Sequence, residues 1–153
     1  ISVIYLNFAE AKAEMGSLTQ DDLNNSINKL QARAGLPAMT TTPDADPANN
    51  MGVSNLIWEI RRCRRCELIM DNWYRYWDLI RRHQLDKLDS TKYPNTMLGA
   101  NVSNVPDCEE ATKNGYIDAS DAQIRTYEAK HYFYPIPTTQ LTLNKNMKQN
   151  PGW

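Results

Sequence analysis

The sequence predicts a mostly α-helical fold with long loops and little β structure. Apolar residues recur three and four positions apart in two stretches, residues 19–34 and 54–80, as they do on one face of a helix. Residues 85–128 instead mix Asp, Ser, Asn, Pro and Gly with isolated apolar residues, which is typical of loops. We therefore expect a helical hairpin within residues 1–37, arginine-rich helices within 54–84 and a loop-rich tail over 85–153, together forming a single partial domain.

The hairpin begins with a helix over residues 4–15, where good helix formers precede Gly16 at the position of a left-handed cap. Thr19 and Asp22 can cap a second helix, which Gly35 and Pro37 bring to an end. Because residues 16–18 form so short a connector, the two helices are expected to pack antiparallel.

The third helix is expected after a loop over residues 39–55, with Ser54 or Asn55 as its N-cap. Asp71 and Asn72 can divide it into two segments. Its apolar stripe comprises Leu56, Ile60, Cys63 and Met70 and resumes with Trp73, Trp77 and Ile80.

The remainder is expected to hold loops with short helices rather than a regular sheet. The aromatic run over residues 131–137 contains two prolines, which exclude a central strand and permit an extended edge segment. The tail to Trp153 is expected to be irregular and to lie along a surface.

Charge and length exclude several functions. The 17 basic and 18 acidic residues give a net charge of -1, so no global field would gather nucleic acid or an anionic membrane. No apolar run approaches the roughly 20 residues that a bilayer requires. The chain shows no charged leader with an apolar stretch, so if the parent protein is exported, its signal is expected upstream of Ile1.

Four arginines at positions 61, 62, 64 and 65 could form a phosphate or nucleic-acid site. Arginines on different sides of one helix cannot all contact one ligand, and carboxylates stand three or four residues from several of them. We therefore favour pairing between helices. The predicted structural salt-bridge network comprises Glu59, Arg62, Arg64, Glu67, Arg75, Asp78 and Arg82, with Asp71 as a further carboxylate.

Cys63 and Cys66 could begin a metal or redox site with Cys108, His83 or His131, but no second close ligand pair follows. We expect these two thiols to be small buried residues of a helix stripe, and we expect neither a metal nor a cofactor. The oxygen-rich loop of Asp44, Asp46, Asn49 and Asn50 departs from the calcium-loop pattern and is interpreted as a solvated loop.

Aromatic side chains can stack on sugar rings. Trp73, Tyr74, Tyr76 and Trp77 are of this type, but Trp73 and Trp77 at helical spacing are interpreted as core. Exposed ligand-binding candidates are Tyr93, Tyr116 and Tyr127 in the irregular region. A glycine-rich phosphate loop and a nucleophile elbow are lacking, so we expect no enzyme and assign no catalytic residue.

Several motifs together resemble the SusD/RagB family. They are EIRRCRRCEL (59–68), YRYWDLIRR (74–82), YPIPTTQLTLN (134–144) and QNPGW (149–153), preceded by YLNFAEAKAE (5–14) and INKLQARAGLP (27–37). The two opening runs look like that family's last TPR-like helix pair. The chain departs from the family pattern at Cys63 and Cys66, where an acidic and an aliphatic residue are usual, and at Asp71 and Asn72, where Glu-Gly is favoured.

The resemblance implies a carboxy-terminal part of a much longer, lipid-anchored protein of the outer membrane. Such a protein would bind glycans, or in some relatives peptides, and deliver them to a SusC-like TonB-dependent transporter without catalysis. This part would supply scaffold, and the membrane contact would come only from an anchor outside it. The alternative is a helical protein-interaction module unrelated to nutrient uptake, although only one convincing helix pair is present. A glycan-processing enzyme is a third possibility.

Overall fold

Helices dominate the chain, as the sequence predicts. The computed structural model describes residues 1–96, 98–106, 108, 112–118 and 123–153. The helices are α1 (Ser2–Glu14), α2 (Gln20–Asn24), α3 (Ile27–Arg33), α4 (Asn55–Glu67), α5 (Tyr74–Arg81) and α6 (Thr138–Leu143), with 3₁₀ turns at Leu85–Leu88 and Ala129–Tyr132. The prediction of a mostly helical, loop-rich fold with little β structure is confirmed.

Helix α1 ends, as predicted, just before Gly16. This glycine has φ +67, and its amide donates to the carbonyl of Ala13 at 3.0 Å. The next amide, that of Ser17, donates to the carbonyl of Lys12 at 2.9 Å. These bonds satisfy carbonyls that the end of the helix would otherwise leave without partners.

The second predicted helix is in fact two short helices, so that prediction is wrong in part. The Thr19 and Asp22 cap is present, with each side chain bonded to the other residue's backbone amide. The helix then breaks at Asn25 and Ser26. The Asn25 side chain donates to the carbonyl of Asp21 at 2.9 Å, and the Ser26 hydroxyl donates to the carbonyl of Asp22. Side-chain groups thus compete for the carbonyls of the helix.

Helix α4 is capped by Ser54, whose hydroxyl accepts from the amide of Ile57 at 3.3 Å. The predicted interruption near Asp71 and Asn72 is confirmed, because the chain leaves helical geometry between α4 and α5. Met70, Asn72 and Trp73 have φ of 60, 39 and 58, values that L residues seldom adopt.

The chain divides into two compact units, residues 1–75 and residues 76–153. In the first unit, α1 packs against α3 and, more extensively, against α4. The buried apolar cluster of this unit comprises Leu6, Ala9, Leu23, Ile27, Leu30, Met39, Ile60 and Leu68. Burial of this cluster stabilises helices that would be marginal alone. The assignment of the whole chain to one domain stays a prediction.

The second unit contains a small antiparallel sheet that the sequence reading of residues 85–128 missed. Strands β1 (Leu98–Asn101), β2 (Thr112–Lys113) and β3 (Tyr116–Asp118) lie in the order β1-β3-β2. Asn114 and Gly115 connect β2 to β3 with φ of 54 and 79. Positive φ at both central residues identifies the two-residue hairpin turn that Asn-Gly favours.

The tail was expected to be irregular, and this is wrong for residues 138–143, which form α6 directly after Pro137. The last residues bond to the main chain of the aromatic run. Gln149 accepts from the amide of Ile136 at 2.8 Å and donates to its carbonyl at 2.9 Å. The indole of Trp153 donates to the carbonyl of Phe133 at 2.9 Å, and the side-chain Nδ2 of Asn150 donates to the carbonyl of Tyr134 at 2.7 Å.

Candidate functional site: an aromatic cavity and an arginine-carboxylate scaffold

The arginines of α4 contact different partners. Arg61 bonds through Nε to Glu10 at 3.0 Å and through a terminal nitrogen to Glu14 at 3.0 Å. Arg64 is buried, donates to the side chain of Asn7 at 2.8 Å and lies over the ring of Tyr74. The guanidiniums are therefore directed to separate places and do not together form one anion site.

Two pairs at the predicted helical spacings are present. Arg62 forms a two-point contact with Glu59, which raises the pKa of the guanidinium. Arg82 lies 3.9 Å from Asp78, which Arg81 also contacts at 3.2 Å. The role of these contacts as scaffold stays a proposal.

Other members of the predicted network lie elsewhere. Glu67 is held by Arg33, at 2.6 and 2.7 Å, and by the hydroxyl of Ser2 at 2.8 Å. Arg75 is half-buried near the start of α5, while Asp71 is exposed in the turn before it. Sequence reasoning missed Arg61, Arg33 and Glu10 because their contacts join residues 34 to 51 positions apart.

The thiol prediction is partly wrong. Cys63 is half-buried, and burial raises its pKa to about 11, so it stays protonated at neutral pH. Cys66 is exposed, so it is not a buried residue of the helix stripe. Among the residues that the structure describes, no cluster of His, Cys, Asp or Glu has the geometry to hold a metal ion.

The acidic loop after α3 is organised by hydrogen bonds within the protein. Asp46 accepts from the indole nitrogen of Trp58 at 2.9 Å and from the amide of Ala48 at 2.8 Å. The bond from Trp58 is the main cause that lowers the pKa of Asp46. This carboxylate therefore anchors the loop to α4.

A cavity of about 210 Å³ opens in the second unit. Leu85 and Leu88 supply aliphatic surface, and Tyr76, Tyr127 and His131 supply aromatic surface. The lining is completed by Arg125 and Thr126. Flat aromatic faces beside a cation and a hydroxyl form the mixed surface that small polar ligands require.

The segment bearing Arg125 and Tyr127 is fixed through its backbone. Asp89 accepts from the amide of Tyr127 at 3.1 Å. Ser90 donates its amide to the carbonyl of Arg125 at 2.9 Å, and its hydroxyl accepts from the amide of Arg125 at 3.0 Å. These contacts to Asp89 and Ser90 use only the backbone of residues 125 and 127.

Hydrogen bonds to Asp89 keep it ionised. The side chain of Thr91 contributes most, followed by the amide of Tyr127, and together they lower the pKa of Asp89 to about 2. Burial raises the pKa of Tyr127, and a hydrogen bond with Tyr132 adds to the shift. Tyr127 therefore remains a neutral phenol against which a ring can stack.

Of the three tyrosines singled out in the sequence, Tyr127 alone lines this cavity. Tyr93 is half-buried and accepts from Lys87 at 2.9 Å, while Tyr116 is exposed on β3.

The sequence-based assignment of Trp73 and Trp77 to the core is wrong, since their exposed fractions are 79% and 55%. Trp73 precedes α5 with a positive φ, so the two do not share a helical face. The same geometry leaves Met70 99% exposed.

Comparison with known proteins supplies the identification. The model of the SusD family matches residues 2–153. The chain belongs to the SusD family. Proteins of this family are nutrient-binding components, above all for glycans. In the described residues, no helix of this SusD-family chain is both long and apolar enough to span a bilayer. Searches of curated proteins and of solved structures found no match.

Proposed function

We propose that this chain is part of a glycan-binding component of an outer-membrane uptake system of the SusC/SusD type. Its role is capture and transfer of a nutrient without making or breaking bonds. The observation that carries the proposal is the match of the SusD family to nearly the whole chain. The aromatic cavity agrees with it, because tyrosine faces beside polar groups suit the apolar faces and hydroxyl edges of sugars.

In this proposal the two units have different tasks. The ion pairs between α1 and α4 fasten these helices of the first unit to each other and act as scaffold, with the planar guanidinium of Arg61 bridging Glu10 and Glu14. The second unit carries the cavity. The partners are a SusC-like TonB-dependent transporter and the glycan, and the protein is held at the outer membrane by a lipid anchor outside residues 1–153.

The test uses the protein encoded by the gene that contains this sequence, tagged and isolated from outer membranes. We expect a TonB-dependent transporter to co-purify with it in stoichiometric amount. We further expect the isolated protein to bind glycans on an array and to release no reducing ends from them during prolonged incubation. Release of sugar, or isolation without a transporter, would contradict the proposal.

A further inference from the structure

The cavity of the second unit contains one feature that a site for neutral sugars does not require. Arg125 lines it beside the tyrosines, and the bonds with Ser90 use only the backbone of Arg125. Within the described residues, no ion pair or hydrogen bond engages its guanidinium. A fixed backbone, with a cation that has no partner among the described residues, suits a ring that carries an anion.

We propose that this cavity binds a carboxylated sugar of the uronic-acid class, with Arg125 paired to the carboxylate and the ring against Tyr127. The proposal rests on the glycan-binding function and adds the chemical class of the ligand. Guanidinium and carboxylate match in two-point geometry, which gives selectivity for the acid over the corresponding neutral sugar.

The surrounding charges leave Arg125 as the cation of the cavity. Lys130 is 3.2 Å from Glu128, and His131 accepts through Nδ1 from the amide of Glu128 at 3.0 Å. The nearby carboxylate of Asp86 acts on Tyr127 but does not line the cavity, and it lies 3.5 Å from the hydroxyl of Tyr93. Lys130 and Glu128 do not line the cavity, and Nδ1 of His131 is occupied by the amide of Glu128.

The size of the cavity limits the ligand. At about 210 Å³ it is smaller than the roughly 300 to 1,000 Å³ usual for drug-sized ligands. This volume suits one sugar ring with its carboxylate and excludes simultaneous enclosure of several rings. A longer chain would therefore be recognised through a single acidic residue of the polymer.

The experiment measures binding of D-glucuronic acid, its neutral methyl ester and D-glucose to residues 1–153 by ligand-observed NMR. We expect the acid to bind about tenfold more tightly than the ester, the ratio that one charge-assisted contact supplies at a partly exposed site. Arg125→Gln should remove this ratio, and Arg125→Lys should retain part of it. Arg65→Gln, which removes the same charge from an exposed position of α4, should leave the ratio unchanged.

Each alternative result overturns the inference. Equal affinity for acid and ester, an unchanged ratio in Arg125→Gln, or no binding of the acid would show that the cavity does not select uronic acids. Equal binding of a blocked peptide with a free carboxylate would show that the ring is not recognised. The proposed function would survive all of these results, because it is tested by isolation of the transporter complex. Circular dichroism of each variant checks that it is folded.

Discussion

Glu10 is only 2% exposed, and Arg61 supplies a charged partner for it. The same guanidinium also contacts Glu14, whose side chain is 45% exposed. The two carboxylates therefore share one cation under very different solvation. A buried charge deprived of a partner is costly, whereas an exposed pair contributes little.

We predict that Glu10→Ala lowers the free energy of unfolding of the first unit by about 3 kcal/mol, because the largely buried Arg61 then loses its buried carboxylate and keeps the exposed Glu14. The matched change Glu14→Ala should lower it by less than about 1 kcal/mol, because solvent screens that contact. Urea unfolding followed by circular dichroism measures both. Equal effects of the two substitutions would show that burial of the Glu10 pair is not important to stability.

Asp89 makes the stability of the second unit depend on pH in the acidic range. Its pKa is lowered from the ordinary 3.8 to about 2 by the bonds from Thr91 and Tyr127, so its stabilising contribution is complete above pH 4. That contribution is lost as the pH falls from about 4 to about 2. We predict that Asp89→Asn lowers stability at pH 6 and flattens the acid unfolding curve in this window, as followed by near-ultraviolet circular dichroism.

The control for this prediction is Asp44→Asn, in an exposed part of the loop before α4. It should change neither the stability at pH 6 nor the shape of the acid curve. A curve for Asp89→Asn that runs parallel to that of the unsubstituted protein between pH 4 and 2 would contradict the assignment.

Single side chains were predictable where their partners are near in sequence. Arg62 and Glu59 are three residues apart on one helix, and the spacing alone brings them together. Arg61 and Glu10 are 51 residues apart, so no periodicity points to their contact. Trp73 was misplaced for a local reason, because the turn before α5 takes it off the helix.

Breaks in the helices depend on competition between side chains and backbone. The apolar spacing of residues 23–34 predicts one helix. It carries no information about the side chains of Asn25 and Ser26, which donate to carbonyls of the preceding turn. The break after α4 was predictable from Asp71 and Asn72. Helix propensity indicates where a helix is weak. The residue at which the helix breaks depends on which side chain forms a hydrogen bond to a backbone carbonyl.

Two elements were missed although the sequence carries their signals. Asn114 and Gly115 are the preferred pair for a two-residue hairpin. Pro137 stands immediately before α6, where a fixed φ and a missing amide donor cost the helix nothing. Both signals were obscured by the loop-like composition around them.

The hairpin turn requires a glycine at position 115. A Cβ added there would clash with the hydroxyl oxygen of Ser103, and the residue has φ +79. We predict that Gly115→Ala destabilises the second unit by about 2 kcal/mol, from the strained φ and from the clash. Thermal unfolding measures the change.

A double substitution separates the two causes. In Ser103→Ala with Gly115→Ala the hydroxyl is gone, and the nearest remaining atom would be Cβ of residue 103 at 3.4 Å. The coupling between the two changes should therefore be favourable, leaving only the cost of the positive φ, about 1 kcal/mol. Strictly additive effects would show that the two residues are not in contact.

At the scale of the whole molecule, the sequence predicted the family and the helical class, and both are confirmed. It did not predict the cavity. Tyr76, Leu85, Arg125 and His131 come from segments up to 55 positions apart and meet only in the folded second unit. Of this lining, Tyr127 alone was among the three tyrosines chosen as exposed ligand-binding candidates, because it is aromatic and lies in an irregular region.

The tail joins distant segments of the second unit in the same way. His131, which lines the cavity, lies 6.0 Å from the ring of Trp153, and Gln149 bonds both backbone groups of Ile136. We predict that Gln149→Ala increases hydrogen exchange of the Ile136 amide by tenfold or more. Gln140→Ala in α6 serves as the control and should leave that amide unchanged.

The C-terminal residues bind the aromatic segment at residues 131–137 through its main-chain carbonyls. The side chains at positions 133 and 134 are therefore less constrained by these bonds. Phe133 and Tyr134 offer carbonyls to Trp153 and Asn150, while their rings are 55% and 71% exposed. Every residue has a main-chain carbonyl, so substitutions at these two positions can keep the hydrogen bonds from Trp153 and Asn150. The exposed surface at these two positions can therefore change its chemical character while the main-chain hydrogen bonds beneath it stay the same.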